Sequence, residues 1–302
     1  MMTPYQQKKF DALFDQHINA LRRQGKADST IDMYGRSIRR IAEYFDICPD
    51  KLTQNQLKEF FATLVQTHSW STVKVDRNGL QFFYKYVLGK RWDWVEIIKP
   101  PKKRTLPDIF TLSEVELLIN RARELRYQTF ILVAFSMGLR LGEVINLQIG
   151  DIDGARQRVH IRQGKGKKDR YVMLPEMAYQ AMRRYWATHR HARFLFPAGR
   201  KPECQAVADN VMNRGGLQKS FKAIVEDCKI NKTVSIHTLR HTYGACLVEA
   251  GLHLRAIQHE MGHECPKTTA LYTQLTDATH QNTGEIINSM VDQLKLTFTG
   301  ET

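Results

Sequence analysis

Hydrophobic residues in the first hundred positions recur at the three- and four-residue intervals typical of amphipathic helices. They predict four helices, with apolar stripes at residues 10–21, 33–45, 57–64 and 73–87. The second stripe begins at Met33, and Ser29 and Thr30 are predicted to cap its helix. Thr53 is predicted to cap the third helix. We therefore expect residues 1–99 to form a helical domain.

A change in composition separates this domain from the rest of the chain. Residues 99–107 contain three prolines and four basic residues, which excludes a helix or a central strand. We expect an extended, basic linker over residues 100–109. Its basic side chains are either simply solvated or follow a phosphate backbone.

A mixed pattern begins at residue 110. Thr111 or Ser113, followed by Glu114 and Glu116, predicts a capped helix, and further helices are predicted over residues 130–137 and 140–147. Residues 158–162 and 170–174 alternate apolar and polar side chains, which predicts two strands joined by a lysine-rich loop. Residues 145–153 are a candidate third strand. The predicted fold class is mainly α with a small antiparallel β-sheet (α+β).

Composition and charge narrow the class of protein. The 302 residues are 42% hydrophobic and 25% charged, so a packed core is expected rather than a disordered chain. No run approaches the roughly 20 apolar residues of a membrane span, and the first residues carry no secretory signal. The net charge of +14 favours a polyanionic partner, with nucleic acid ahead of an anionic membrane surface. Five cysteines without a CxxC pair indicate neither a disulfide framework nor a zinc site, as in a reducing cytoplasm.

Two short segments place cations where they could act on an anion. Arg140 and Glu143 lie three residues apart on one helix face, where the carboxylate can orient the guanidinium. Taken alone, the spacing is also typical of a surface ion pair. Lys165 lies at the tip of the predicted hairpin, from which it could deliver a proton to an anionic site. Taken alone, it is also typical of a solvated turn.

Two further segments contain histidines. His237 and Arg240 share a face near a predicted helix start and could clamp a phosphate, with the imidazole moving a proton. The alternative is a histidine that caps the helix. His263 precedes Tyr272 by nine residues. Gly262, directly before His263, is predicted to mark the end of a helix. Tyr272 alone is also typical of a core or interface position.

Together, the four segments resemble the tyrosine recombinases, the family of the Xer recombinases and phage integrases. The family pattern is an arginine in GLRxxE, a hairpin lysine in GKGxKxR, then HxLRHT, then GH and a tyrosine nine residues later. Corresponding residues lie at 138–143, 164–170, 237–242, 262–263 and 272. Met261 replaces the usual leucine, which changes the volume little. The resemblance covers residues 110–275, and residues 1–99 fit the core-binding domain of the family more loosely.

The resemblance implies a set of catalytic residues and a mechanism. The implied catalytic residues are Arg140, Lys165, His237, Arg240, His263 and the nucleophile Tyr272, with Glu143 orienting Arg140. Lys165 would be the general acid, and His237 would be the general base or share that role. The enzyme would cut and rejoin duplex DNA through a 3′-phosphotyrosyl intermediate and Holliday-junction strand exchange. No metal, cofactor or ATP is implied.

The resemblance also implies a domain organisation. Residues 1–99 would be the core-binding domain, 100–109 the linker, 110–276 the catalytic domain and 277–302 a tail helix. The two domains would close on DNA as a C-shaped clamp. The candidate DNA contacts are Lys99, Lys102, Lys103, Arg104, Arg36, Arg39, Arg40 and Lys167.

The implied partners are duplex DNA with specific recombination sites and three further copies of the chain, as a homo-tetramer on DNA. The tail helix would dock on a neighbouring protomer or pack on its own domain. An accessory DNA-bending protein is a further candidate partner, and no membrane is implied. The implied location is the bacterial cytoplasm, with the protein on the nucleoid when bound.

Three other functions stay open at this point. Residues 259–263 read HEMGH, which matches the HExxH signature of zinc proteases, although Pro266 and Thr269 stand where the extended signature needs glycine and histidine. A type IB topoisomerase would share the tyrosine nucleophile. A non-catalytic helix–turn–helix protein over residues 252–275 would use Leu254, Ile257 and Met261 as its core and Tyr272 structurally.

Overall fold

The computed structural model describes residues 2–92, 107–162, 169–262, 266–270 and 272–274. The chain divides into two compact units, Met1–Arg104 and Thr105–Thr302. Both are mostly helical, and the described β-sheet belongs to the second, so the predicted fold class is confirmed. Most of the predicted linker and the whole predicted tail helix lie outside the described residues. None of the described helices is long and apolar enough to cross a membrane.

The first unit is built from the four predicted helices. They are α1 (Pro4–Arg23), α2 (Asp28–Phe45), α3 (Gln54–Thr67) and α4 (Trp70–Tyr86), with a 3₁₀ turn at Pro49–Lys51. Their buried faces meet in an aromatic core that includes Phe60, Phe61 and Phe83. Thr53 caps α3 as predicted, because its side chain accepts a hydrogen bond from the backbone of Gln56.

Two details of the second helix were predicted wrongly. Helix α2 begins at Asp28, with Ala27 at the cap position and no side-chain cap, so Ser29 and Thr30 lie inside the first turn. The negative charge of Asp28 there favours the helix start. Met33 is 38% exposed, because the buried stripe runs through Ile38 and Ile41 on another face of the helix.

A polar cluster is buried between α2 and α4. The carboxylate of Asp76 is 2% exposed and accepts a hydrogen bond from Ser37 Oγ at 2.8 Å. Its other oxygen accepts a hydrogen bond from the guanidinium of Arg40. A buried carboxylate is tolerated only with such partners, so Arg40 is part of the packing of this unit.

The second unit surrounds a small sheet with helices. Its helices are α5 (Leu112–Arg121), α6 (Leu125–Ser136), α7 (Leu141–Ile145), α8 (Glu176–His189), α9 (Pro202–Ala206), α10 (Arg214–Asp227), α11 (Ile236–Glu249), α12 (Leu254–Met261) and α13 (Pro266–Ala270). Thr111 caps α5 with Glu114, as predicted. Helix α6 is central and buries Phe130, Val133 and Ala134 in the core.

The sheet has three antiparallel strands in the order β1 (Ile152–Asp153), β2 (Arg158–Ile161) and β3 (Arg170–Met173). Val159 pairs with Val172, and both side chains face the core. The predicted hairpin is therefore confirmed. The third strand was predicted too long, because Ile149–Asp151 forms a 3₁₀ turn in which the Asp151 carboxylate accepts a hydrogen bond from the backbone of Gln148.

Candidate active site

The carboxylate of Glu143 organises the described part of the site. Glu143 lies on α7, where its Oε1 accepts a hydrogen bond from Arg140 Nη1 at 2.7 Å and its Oε2 accepts one from the Arg140 backbone at 2.9 Å. Arg170, at the start of β3, donates one hydrogen bond to each Glu143 oxygen at 2.9 Å. The hairpin and α7 are thus joined through one side chain.

The charge state of Glu143 follows from these partners. Burial opposes ionisation and raises its pKa. The hydrogen bonds and charge of Arg170, followed by the backbone N–H and charge of Arg140, outweigh burial and lower the pKa to about 2. Glu143 is therefore ionised at neutral pH, and it fixes two guanidinium groups in one orientation.

Arg240 is held by backbone carbonyls at two helix ends. It lies on α11, is 1% exposed, and donates from Nη1 to the carbonyl of Gly138 at 2.6 Å and from Nη2 to that of Met261 at 2.5 Å. Glu143 Oε2 lies 4.0 Å from its Nη1. Burial, and then the charge of Arg140, lowers the pKa of Arg240 to about 10, so the group is still charged at neutral pH.

The backbone at Gly262 completes the support of the arginines. Gly262 has φ +61°, a left-handed conformation that glycine adopts without strain, and it ends α12. Its carbonyl accepts a hydrogen bond from Arg140 Nη2 at 2.9 Å. A Cβ at this position would lie 2.9 Å from Arg170 Cδ. Because Met261 also accepts the hydrogen bond from Arg240, the end of α12 contacts all three arginines.

The cluster has an excess of positive charge. The guanidinium groups of Arg140, Arg170 and Arg240 face one carboxylate, so three positive groups and one negative group leave an excess of two positive charges. These cations are held in place by hydrogen bonds before any ligand is present. A fixed, partly desolvated excess of positive charge is suited to binding an anion and to stabilising negative charge that grows during a reaction.

Tyr272 lies beside this cluster. Its side chain is 0% exposed and packs with Ile257 and Met261 of α12. The ring also packs closely against α11, where a Cβ on Gly244 would be 2.6 Å from Tyr272 Cε2. Burial raises the pKa of Tyr272, and the charges of Arg240 and Arg140 partly oppose this shift. The hydroxyl thus stays protonated at neutral pH and needs a base to become a nucleophile.

Two histidines lie between the arginines and the tyrosine. The His237 and His241 ring centroids are 4.7 Å apart, and the His241 ring is 5.8 Å from that of Tyr272. Partial burial, and then the charges of Arg240 and Arg140, lowers the pKa of His237. Burial lowers the pKa of His241 to about 4. Both rings are therefore neutral at pH 7, and a neutral imidazole can accept a proton.

The structure thus brings five predicted site residues into one region: Arg140, Glu143, His237, Arg240 and Tyr272. The other predicted residues Lys165, His263, Lys99, Lys102, Lys103, Arg104 and Lys167 lie outside the described residues. In the first unit, Arg36 is exposed and pairs with Asp32, and the Arg39 guanidinium lies 4.4 Å from the centre of the Phe14 ring.

Specific contacts and exposures bear on two of the alternative functions, the zinc protease and the helix–turn–helix protein. Glu260, which would be the general base of a zinc protease, accepts a hydrogen bond from the backbone of Met173 at 3.0 Å and so contacts the end of β3. His259 is exposed, and no metal-binding group of three or more ligands occurs among the described residues. In the helix–turn–helix reading, Ile257 and Met261 are buried as required, but Leu254 is 37% exposed.

Comparison with known proteins identifies the family. Residues 108–279 match the phage integrase family, and residues 13–94 match the SAM-like N-terminal domain of phage integrases. The chain belongs to the phage integrase family of tyrosine recombinases. An integrase/recombinase of Sinorhizobium fredii is 30% identical over 245 residues, covering 80% of this chain and 77% of the relative. A tyrosine recombinase of Thermosipho africanus is 27% identical over 278 residues, covering 88% and 94%.

Solved structures support the fold of this tyrosine recombinase. XerH recombinase bound to its difH substrate is 20% identical with a TM-score of 0.61, covering 85% of this chain and 79% of that one. The Tn1549 transposon integrase in complex with transposon right-end DNA is 18% identical with a TM-score of 0.62, covering 86% and 94%. The family match and the tyrosine recombinase relatives, rather than the fold alone, indicate a DNA strand-transferring enzyme.

One member of the cluster had no role in the sequence-based prediction of this tyrosine recombinase. Arg170 closes the GKGxKxR pattern, but its partner Glu143 lies 27 residues earlier in the chain. The available signal was an arginine at the first position of a strand whose other inward residue, Val172, is apolar. A charged residue on the side of a strand that faces the core needs a buried partner.

Proposed function

We propose that this tyrosine recombinase cuts and rejoins duplex DNA at specific sites through a covalent link to Tyr272. The observation that carries the proposal is the cluster of three guanidinium groups around Glu143, with Tyr272 packed beside it. Two relatives of similar fold have been solved with DNA, XerH on its difH substrate and the Tn1549 integrase on transposon DNA. Duplex DNA is thus the proposed substrate.

Cleavage transfers one phosphoryl group from the 5′ oxygen of the DNA to the hydroxyl oxygen of Tyr272. The hydroxyl oxygen of Tyr272 attacks the scissile phosphorus, and its proton passes to His237. The bond from phosphorus to the 5′ oxygen breaks, and Lys165 gives that oxygen a proton. The products are a 3′-phosphotyrosyl link and a free 5′-hydroxyl.

Positive charge lowers the barrier. The transition state carries extra negative charge on the phosphate oxygens. Arg140 and Arg240 bind these oxygens, and His263 donates a further hydrogen bond. Glu143 and Arg170 keep the Arg140 guanidinium oriented, so little reorganisation is needed when charge develops.

Rejoining is the reverse reaction with a different strand. A 5′-hydroxyl of the partner duplex attacks the phosphotyrosine, and Tyr272 leaves with its proton restored. The number of phosphoester bonds is unchanged, so the exchange needs no ATP. Two successive exchanges pass through a Holliday junction and use four active sites, which makes the acting form a homo-tetramer.

The proposed DNA contacts come from both units. The proposed contacts are Arg36, Arg39, Arg40, Lys99, Lys102, Lys103, Arg104 and Lys167. Residues 1–99 form the core-binding domain, 100–109 the linker, 110–276 the catalytic domain and 277–302 the tail. The protein acts on the bacterial nucleoid, and an accessory DNA-bending protein is a further proposed partner.

Covalent capture tests the proposal. Duplexes tiled from DNA flanking the gene, each with a nick that traps the intermediate, are incubated with the protein in EDTA and read on denaturing gels. We expect a detergent-stable protein–DNA band with wild type and with the control Tyr179→Phe, and none with Tyr272→Phe. Binding without a covalent band on the confirmed specific site would contradict the proposal and favour a non-catalytic DNA-binding protein.

A second assay separates recombination from topoisomerase activity. Supercoiled plasmid that lacks the captured site is incubated with wild-type protein. A site-specific recombinase leaves this plasmid supercoiled and joins two duplexes that carry the site. Relaxation of the plasmid without any joined product would instead favour a type IB topoisomerase.

A further inference from the structure

A basic cleft adjoins the arginine cluster. The cleft has a volume of about 510 Å³ and lies between the start of α7, one face of α10 and the start of α11. Its polar lining includes Arg140, Arg214, Gln218, Lys222 and His237. No aspartate or glutamate lines the described part of the cleft. A cleft with this lining is suited to an anion.

Packing of α10 turns its basic face towards the cleft. Leu217 and Phe221 are each 3% exposed and anchor the helix in the core. Arg214, Gln218 and Lys222 follow one another at four-residue intervals on another face, and all three are exposed. The Asn213 side chain accepts a hydrogen bond from the backbone of Gly216 at 2.8 Å, which fixes the start of the helix.

Arg214 is the side chain that connects this face with the active site. Its Nη2 lies 3.7 Å from the position that a Cβ on Gly142 would occupy, one residue from Glu143. Among the described residues, Arg214 has no ion pair, whereas Arg140 and Arg170 both pair with Glu143. Within the part of the chain that the structure describes, Lys222 forms one ion pair, an exposed one with Glu226 at 3.6 Å. The guanidinium of Arg214 is therefore available to a ligand from outside the chain.

We propose that Arg214, with Gln218 and Lys222, binds a DNA backbone phosphate next to the scissile one. The inference rests on the proposed function, because that function brings a phosphate to Arg140, which lines the same cleft. A guanidinium binds two oxygens of one phosphodiester, and the amide and ammonium groups extend the contact along the strand. A second fixed phosphate restricts the position of the scissile one, so Arg214 is a positioning residue.

The salt dependence of DNA binding tests this site. Affinity for a short duplex of fixed sequence is measured over a series of salt concentrations, in the Tyr272→Phe background so that no cleavage occurs. We expect Arg214→Ala to bind roughly tenfold more weakly at low salt. The slope of log affinity against log salt should fall in magnitude by about 0.9, the loss of one phosphate contact. Arg214→Lys should keep the slope and lose part of the affinity.

A control on the same helix separates a specific contact from a change in net charge. Lys219 is exposed and does not line the cleft, so Lys219→Ala removes the same charge and should keep the wild-type slope. Equal slopes for the two alanine variants would overturn the inference. Thermal melting is compared first, and Arg214→Gln replaces Arg214→Ala if the alanine variant is less stable.

The two proposals fail in different ways. If the wild-type protein gives no covalent band but the salt slopes of Arg214→Ala and Lys219→Ala differ, the proposed chemistry is contradicted and the phosphate site is supported. If the covalent band forms but the salt slopes of Arg214→Ala and Lys219→Ala are equal, the proposed chemistry is supported and the phosphate site is contradicted.

Discussion

Arg170 donates a hydrogen bond to each carboxylate oxygen of Glu143, both at 2.9 Å, across 27 residues of sequence. The side chains are only 10% and 7% exposed. Because Glu143 also binds the backbone and side chain of Arg140, this pair ties the first residue of β3 to the start of α7. It therefore fixes the guanidinium that is proposed to bind the scissile phosphate.

We expect Arg170→Ala to lower the free energy of unfolding by about 3 kcal/mol, because it removes a nearly buried partner of an ionised carboxylate. Urea denaturation followed by circular dichroism measures the change. The control is Arg156→Ala, whose pair with Asp153 is 71% exposed on the arginine side and should contribute little to the free energy of unfolding. Equal effects for the two variants would contradict a structural role for the Arg170–Glu143 pair.

The lowered pKa of Glu143 predicts a pH dependence of stability. The pKa falls from an ordinary 4.5 to about 2 in the folded protein, so ionised Glu143 contributes about 3 kcal/mol at pH values above 4.5. This contribution is lost as the pH falls from 4.5 towards 2. We expect the stability difference between wild type and Glu143→Gln, measured in urea, to shrink over that range. Glu116→Gln, at an exposed position of α5, should show no such trend.

Local features of the fold could be predicted from the sequence because they depend on neighbouring residues. Thr53 and Thr111 each cap a helix by exchanging side-chain-to-backbone hydrogen bonds with the residue three positions later. The hairpin follows from alternation within β2 and β3. The resemblance to the tyrosine recombinases predicted that Arg140, Arg240 and Tyr272 lie in one site.

Other features depend on contacts that local patterns do not encode. The acceptors of Arg240 are the carbonyls of Gly138 and Met261, which become available only because two helices end there. The bond from Arg40 to Asp76 joins two helices through a carboxylate 36 residues away. The sequence predicts several basic residues equally as DNA contacts, but the structure shows that one of them, Arg40, also has a role in packing.

The packing of Tyr272 on α11 predicts the effect of a small substitution. A Cβ on Gly244 would lie 2.6 Å from the Tyr272 ring, so Gly244→Ala must displace the tyrosine. We expect the rate of covalent capture to fall roughly tenfold or more, because the nucleophile is misplaced. Gly150→Ala is the control, since a Cβ at Gly150 meets no described atom within 4 Å. An unchanged rate in Gly244→Ala would contradict this packing.

The arginines of α2 should separate into two classes. Arg40→Ala leaves the buried Asp76 carboxylate without its cation, and we expect the free energy of unfolding to fall by about 2 kcal/mol. Arg36→Ala breaks an exposed pair with Asp32 and should leave the free energy of unfolding nearly unchanged while still weakening DNA binding. Urea denaturation and duplex-binding titrations measure the two effects. If Arg36→Ala lowered the free energy of unfolding and Arg40→Ala did not, this division into two classes would be contradicted.

The proposed role of His237 predicts how the reaction responds to pH. Partial burial and the charges of Arg240 and Arg140 hold its pKa below 6.5, so the ring is neutral at pH 7 and can take the Tyr272 proton. We expect the rate of covalent capture to fall as the pH drops below 6.5, because a protonated imidazole no longer acts as a base. The pKa of His241 is about 4 and that of Glu143 about 2, so protonation of these neighbours would lower the rate only at more acidic pH.

Replacement of His237 makes this prediction specific. His237→Gln should react more slowly at pH 7 and should lose the acidic limb of the rate profile. His68→Gln, at an exposed histidine of the first unit, should keep both the rate and the limb. If the acidic limb persists in His237→Gln, another group takes the proton from Tyr272. The rings of His237 and His241 lie 4.7 Å apart, so His241→Gln would then be the variant to measure in the same assay.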